Sequence, residues 1–405
     1  MARIGIFYHT DPVGSVPSGI DSFIRGILQW APPDLEYTLF GASSDTTARP
    51  LGQETALRIG DREARFVPLI RIDATARRSK VPATVRYMHA LGRAIRAGLL
   101  GHLDVLDFHR IEPTFLFRRS HQPKNVVLHQ DMSVIRDKDT DILWRHFPWL
   151  YERIEGKLFG GVDRIFSVRS SAVTRYRATY PDMAAKFAFI PTWVDTTTFR
   201  SLPQSADSVN IRNSTRGTWR IDPAASLLMF VGRLDRQKDP LLLLQAFALA
   251  IKQRPNLHLL IVGDGVLRPV VEQAIADAGL GGRIRLTGAL GREAIAGLLH
   301  AADLFALSSA YEGMPIAVLE ALASGVPVVS TDVGELRRVV SDGVNGWLAR
   351  AREPQALAEA ILESVKRLPE MRGGPCEASV VPYHPQTVLA TIYGNHHRQV
   401  AGVTA

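Results

Sequence analysis

Two carboxylates with seven residues between them, Glu312 and Glu320, stand in the stretch Ser308–Gly325, SSAYEGMPIAVLEALASG. The stretch begins polar, passes Gly313 and Pro315, and turns into an apolar run ended by Gly325-Val326-Pro327. Proline suits the first turn of a helix, and Gly followed by Pro ends one, so a helix is predicted from about Pro315 to Ser324 with Tyr311–Met314 as the loop before it. The mouth of such a helix carries unpaired N–H groups and a partial positive charge, which seats phosphate. A carboxylate beside that mouth is not needed for an anion, but it can accept hydrogen bonds from sugar hydroxyls. On their own the two glutamates read equally well as helix charges in contact with solvent.

A second pair is basic. Arg233 and Lys238 flank the turn Gly232–Pro240, which follows the apolar strand LLMFV at Leu227–Val231 and precedes a helix to about Lys252. Two fixed cations at a strand-to-helix turn offset the charge of a diphosphate, and of the further charge that develops as a group departs from it. Arg grips oxygens bidentately and Lys acts as a point charge. Two histidines, His109 and His129, close the short strands Val105–Phe108 and Asn125–Leu128. In a parallel sheet both point towards the crevice at the carboxyl ends of the strands, where ligands bind. A glycine loop at His9–Phe23, with Gly14, Ser18 and Gly19, follows the first strand, Arg3–Tyr8. It lacks both the dinucleotide fingerprint and the P-loop pattern.

The elements that must position these residues repeat as strand, turn, helix. In the first half, further strands are predicted at Tyr37–Phe40, Ala64–Pro68, Asp163–Val168 and Phe187–Pro191, with helices at Ile20–Gln29 and Pro82–Leu100. The second of these helices carries Arg86 and follows Arg77, Arg78 and Lys80, a basic candidate for an anionic membrane surface or an acidic acceptor. In the second half six βα units follow residue 226, including Leu257–Val262 closed by Gly263-Asp264-Gly265, Ile284–Leu286 leading to Thr287–Leu290, and a helix over Gly334–Val340. The polar stretch 200–225 is predicted to be a linker. The domain limits are then 1–199, 226–380 and a closing segment, 381–405. The fold class is α/β with two doubly wound domains.

The chain has 405 residues and a formal charge of +8. Residues 1–195 hold 27 basic and 21 acidic side chains and the rest 21 and 19, so the first half is the more basic. One cysteine, Cys376, excludes an internal disulfide and a cysteine zinc site. No apolar run approaches a membrane span, and the first residues enter a strand with no leader pattern. A cytoplasmic protein is expected, with attachment at the inner face of a membrane as an added candidate. Overlapping D-x-D triplets at Asp137–Asp141 fall in a polar loop and give a weak metal signal. Dispersed arginines and the lack of a recognition motif disfavour nucleic acid.

Taken together, VGRLDRQKD, IVGDG, LTGAL, AADLFALSSAYEGMPIAVLEALASGVPVV and DGVNGWL, running almost unbroken from Leu227 to Leu348, resemble the retaining glycosyltransferases of family four. The first half is similar more loosely, through its first strand and glycine loop, VLDFH, VVLH and IPTWVDTTTF. The resemblance implies the GT-B fold, two facing Rossmann-like domains with a last helix crossing back to the first. It implies transfer of a sugar from a nucleotide-diphospho-sugar such as a UDP- or GDP-sugar to a glycan or a polyprenyl- or lipid-linked acceptor, with retention by a front-face route, and with neither cofactor nor metal. Arg233 and Lys238 would hold the diphosphate, with Gly232, Gly263 and Leu290 lining the nucleotide. Glu320 would accept from the ribose. Glu312, with the N–H groups of Gly313, Met314, Pro315 and Ile316 where one exists, would orient the sugar. Gly19 would approach the phosphate, His109 the reacting centre, and His129 and Arg86 the acceptor. The chain departs from the family at Thr192-Trp193, at Ser18-Gly19 and at Gly313-Met314-Pro315. The alternative is a catalytically silent protein of the same fold that binds glycan or partners; an epimerase would need a different acid–base set.

Overall fold

The computed structural model describes residues 1–13, 19–60, 62–72, 81–129, 148–203 and 205–402, with backbone alone at 148–152. It comprises two compact units, Met1–Pro191 with Pro385–Ala405, and Thr192–His384.

Among the described residues, the first unit holds an eight-stranded sheet: β1 Ala2–Phe7, β2 Leu35–Ser43, β3 Thr55–Ile59, β4 Arg62–Arg71, β5 Val105–Phe108, β6 Lys124–Leu128, β7 Arg164–Ser167 and β8 Phe187–Phe189. The order is β3-β4-β2-β1-β5-β6-β7-β8. Every pairing is parallel except β3 with β4. That antiparallel edge strand was absent from the sequence reading. TALRI is too short and too mixed in polarity to stand out, and half of it is solvated. At the heart of the unit the rings of Phe7, Phe40 and Phe108 stack with centroids 5.0 Å apart.

The helix Pro385–Val400 packs on this sheet, as the resemblance implied, and does so through polar groups. Tyr37 on β2 and His396 Nδ1 are 2.8 Å apart, and His396 Nε2 lies 3.1 Å from Asp107 Oδ2 on β5. Asn395 and Gln399 both donate to Asn125 Oδ1 on β6, at 3.1 and 2.8 Å. Tyr393 donates to the carbonyl of Ile27 at 2.9 Å. The hydroxyl and amide groups are tolerated at this depth because each finds a hydrogen-bond partner on the other element. His396 holds the Asp107 carboxyl below the usual carboxylate range, overcoming the rise that burial alone would cause.

The second unit carries a six-stranded parallel sheet: β9 Ser226–Val231, β10 Leu257–Val262, β11 Ile284–Gly288, β12 Leu304–Leu307, β13 Val328–Thr331 and β14 Gly346–Ala349, in the order β11-β10-β9-β12-β13-β14. Both faces are covered, which is why LLMFV is apolar at every position. Leu227 and Met229 pack on one side with the helices Arg292–Ala301 and Ile316–Ala323. Leu228 and Phe230 pack on the other with Pro240–Gln253 and Pro354–Lys366. Two Rossmann-like sheets with a C-terminal helix on the first constitute the GT-B fold.

Two segments differ from expectation. The polar stretch 200–225 contains a helix, Ala206–Thr218, whose Ser205 cap accepts from the Ser208 N–H at 3.2 Å. Its Arg216 is buried, donating to the carbonyls of Ala301 and Ala225 and to Asp303 Oδ2 at 3.1, 2.8 and 2.6 Å. An arginine within the predicted linker is thus a packed core residue, and the segment belongs to the second unit. Over Gly334–Val340, the helical part is a single 3-10 turn at Leu336–Arg338.

Candidate active site

In the second unit β9 and β12 are neighbours, so the turns that follow them lie side by side. Hydrogen bonds join these turns closely. Ser308 donates to the carbonyls of Lys238 and Asp239 at 2.9 and 2.8 Å, the Ala310 N–H to the carbonyl of Gln237 at 2.8 Å, and Gln237 Nε2 to the carbonyl of Tyr311 at 3.3 Å. The β9 turn is fixed within itself by Asp235, whose Oδ1 accepts from the Lys238 N–H at 3.0 Å. Asp239 caps the next helix in a left-handed conformation, φ 43°, and accepts from the Leu242 N–H at 3.2 Å.

This stitching brings Lys238 Nζ to 2.6 Å from Glu312 Oε1, with side-chain exposures of 17% and 8%. Ser309 Oγ donates to the same oxygen at 2.6 Å. Two of the residues predicted from the sequence are therefore joined directly. Arg233 is placed differently: its side chain is 73% exposed and meets Asp235 at 3.2 Å and Gln237 at 3.5 Å. Gly313 and Ile316 are half-buried, and Met314 and Pro315 are buried at the start of the helix Ile316–Ala323, with Pro315 at the cap position.

The glycines line the carboxyl edge of the sheet. Gly232 donates to the carbonyl of Val262 at 3.0 Å, and Gly263 to that of Gly288 at 2.9 Å. Gly263 has φ 138°, and a Cβ there would lie 1.9 Å from the carbonyl oxygen of Gly232, so backbone meets backbone at this point. Leu290, just beyond, is half-buried against the core.

Glu320 is half-buried on the helix Ile316–Ala323. Burial pushes its carboxyl up to about 7, against the pull of Arg292 and with a further push from Asp195. Arg292 is itself held by Asp195 Oδ2 at 3.2 Å and by the ring of Phe199 at 5.4 Å. The sequence reading did not single out Arg292, Asp195 or Ser309. Nor did it find Gly334, at φ 61°, where a Cβ would lie 2.1 Å from the carbonyl oxygen of Gly313.

In the first unit His109 and His129 come together as predicted. Nδ1 of His109 and Nε2 of His129 are 2.9 Å apart, the rings stack at 5.2 Å, and Phe23 meets both edge-on. His109 is buried, its Nε2 has no hydrogen-bond partner among the described residues, and burial pushes its imidazole down to about 4, partly opposed by Asp107. His129 is pushed well below its usual range by burial and then by His109. Both rings are neutral at pH 7, so the pair can exchange hydrogen bonds with hydroxyls but does not attract anions. Gly19 is exposed at the first position of the helix Gly19–Gln29. Arg86 is half-buried, its Nη1 donating to the carbonyl of Arg71 at 3.1 Å.

Arg77, Arg78, Lys80, Ser18 and the D-x-D triplets lie outside the described residues. Among the described residues no group of three or more His, Cys, Asp or Glu is arranged to hold a metal ion, and no helix is long and apolar enough to cross a membrane. A cavity of about 950 Å³ in the second unit, lined by residues including Ser201, Arg212, His300 and Gly373, contains none of the candidate site residues.

Residues 212–372 match the family described as glycosyl transferases group 1. D-inositol 3-phosphate glycosyltransferase of Corynebacterium urealyticum is 35% identical over 145 residues, 34% of each chain. Against seven curated relatives that bear that name the matches span 32% to 50% of their length. Sucrose-phosphate synthase of Thermosynechococcus elongatus has a similar structure, with a TM-score of 0.78 at 18% identity over 99% of this chain and 100% of that one. HepE of Anabaena in complex with UDP-glucose gives 0.70 at 16%, over 99% and 100%. The fold of the whole chain is thus that of these structures, and residues 212–372, which hold Lys238, Glu312 and Glu320, are related to the glycosyl transferases of group 1.

Proposed function

We propose that the protein is a retaining glycosyltransferase that moves a hexosyl group from a nucleotide-diphospho-sugar, a UDP- or GDP-sugar, to a glycan or lipid-linked acceptor in polysaccharide or glycolipid synthesis. The reading rests on one observation above the rest: Lys238 and Glu312 share an oxygen contact just before the helix Ile316–Ala323, inside the segment related to group 1. A lysine there meets the diphosphate, helped by Arg233, and offsets the charge that grows as the glycosidic C1–O bond breaks. Glu312 orients the sugar and Glu320 accepts from the ribose, with Gly232, Gly263 and Leu290 beside the nucleotide. The acceptor oxygen forms the new bond to C1 on the same face, and its proton passes to the departing phosphate oxygen. His109, neutral and with an Nε2 that has no hydrogen-bond partner among the described residues, acts near the reacting centre, with Gly19, His129 and Arg86 on the phosphate and acceptor side. No divalent ion takes part, and the basic first half meets an anionic acceptor or the inner membrane surface from the cytoplasm.

The names of the relatives and the UDP-glucose bound to HepE support the donor class. A thermal-shift screen with UDP, GDP and ADP, then with their sugars, tests the reading. One nucleotide and its sugar should stabilise the protein, and that sugar should be transferred in the presence of EDTA. Absence of stabilisation by every one, or a strict need for Mg²⁺ or Mn²⁺, would overturn it.

A further inference from the structure

The Glu312 carboxylate is engaged on one side. Its Oε1 accepts from both Lys238 Nζ and Ser309 Oγ, each at 2.6 Å, while among the described residues Oε2 has no hydrogen-bond partner. The two donors differ in freedom. Ser309 is fully buried just after β12, and its carbonyl accepts from Thr331 Oγ1 at 2.8 Å at the end of β13. Lys238 ends in an ammonium on a flexible four-carbon stem. The loop that carries Glu312 is closed from below, where the Glu335 N–H donates to the carbonyl of Gly313 at 2.9 Å and Gly334 leaves no room for a side chain.

Building on the donor class argued above, we propose that Ser309 is a positioning residue for Glu312 which couples recognition of the sugar to binding of the diphosphate. In the empty site Lys238 is the counter-ion of Glu312. The diphosphate draws Lys238 off Oε1. Ser309 then holds the carboxylate in place, and Oε2 accepts from a hydroxyl of the transferred sugar. A nucleoside diphosphate without its sugar takes Lys238 from Glu312 and leaves the carboxylate with no hydroxyl in its place. An intact nucleotide-sugar recovers it at Oε2. Preference for the donor over the spent nucleotide is therefore built into one carboxylate.

The test is calorimetric binding of UDP and UDP-glucose, GDP and GDP-mannose, and ADP and ADP-glucose to the full chain. Ser309→Ala should weaken the matching nucleotide-sugar about tenfold, the scale of one hydrogen bond to a charged group, and leave the nucleotide alone within about twofold. Glu312→Gln, which frees Lys238 without changing side-chain volume, should tighten the nucleotide about tenfold and weaken the nucleotide-sugar. Equal losses for both ligands in Ser309→Ala, no loss in either, or an unchanged nucleotide affinity in Glu312→Gln would each overturn the coupling while leaving the donor class standing. If the serine variant does not fold, the glutamine variant decides. Binding of none of the six ligands to the unaltered protein would overturn both.

Discussion

Replacing Lys238 by alanine should damage stability and turnover together, and the sizes can be worked from the contact itself. With Nζ 2.6 Å from Glu312 Oε1 and exposures of 17% and 8%, the pair lies between an exposed bridge, worth about 0–1 kcal/mol, and a buried one, whose rupture costs about 3–5 kcal/mol. Ser309 still serves Oε1 after the change, which keeps the loss near about 1.5–3 kcal/mol. For a unit of this size each kcal/mol moves Tm by about 2–4 °C, so a fall of about 3–12 °C is expected by calorimetry. Turnover loses a cation at the departing diphosphate, about 2.7–4 kcal/mol or 10²–10³-fold. The double variant Lys238→Ala/Glu312→Gln separates the two effects. It should regain much of the stability, because no unpaired carboxylate is left, and none of the turnover. A single variant with unchanged Tm and turnover within about fivefold of the parent would refute both the energetics and the assignment.

Three further outcomes are expected. Glu320 has a carboxyl raised from 4.5 to about 7 by burial, so its effect on stability is absent at low pH and becomes adverse as pH rises through that window. Glu320→Gln should match the parent at pH 4.5 and exceed it in Tm above pH 7, while donor affinity of the parent falls as pH drops below about 7; a difference that stays flat from pH 4.5 to 8 speaks against this. Gly334→Ala places a Cβ 2.1 Å from the Gly313 oxygen at a positive φ, so kcat should drop at least about tenfold as the Glu312 loop shifts, and wild-type kinetics would show that the loop tolerates displacement. His396→Ala leaves Asp107 buried without its partner and should destabilise the first unit by about 3–5 kcal/mol, read in urea; a loss under 1 kcal/mol would mean that the pair carries no weight.

The alternation of strand, turn and helix is legible in residue order alone, because strands covered on both faces are apolar at every position and the turns between them need glycine and proline. The sequence also placed Lys238, Glu312, His109 and His129 at the carboxyl ends of strands, a matter of local order along the chain. The Lys238–Glu312 contact spans 74 positions and that of Tyr37 with His396 spans 359. No local periodicity encodes such distances. They follow from which strands become neighbours, β9 beside β12 in one unit and β1 beside both β2 and β5 in the other. The same holds for residues whose chemistry depends on burial. Arg216 is one polar residue of a predicted linker until carbonyls close around it, and Ser309 is one polar loop residue among several until packing removes it from water and leaves Glu312 within reach of its hydroxyl. Tertiary structure decided these because desolvation and hydrogen-bond geometry are properties of the packed chain, not of the order of its residues.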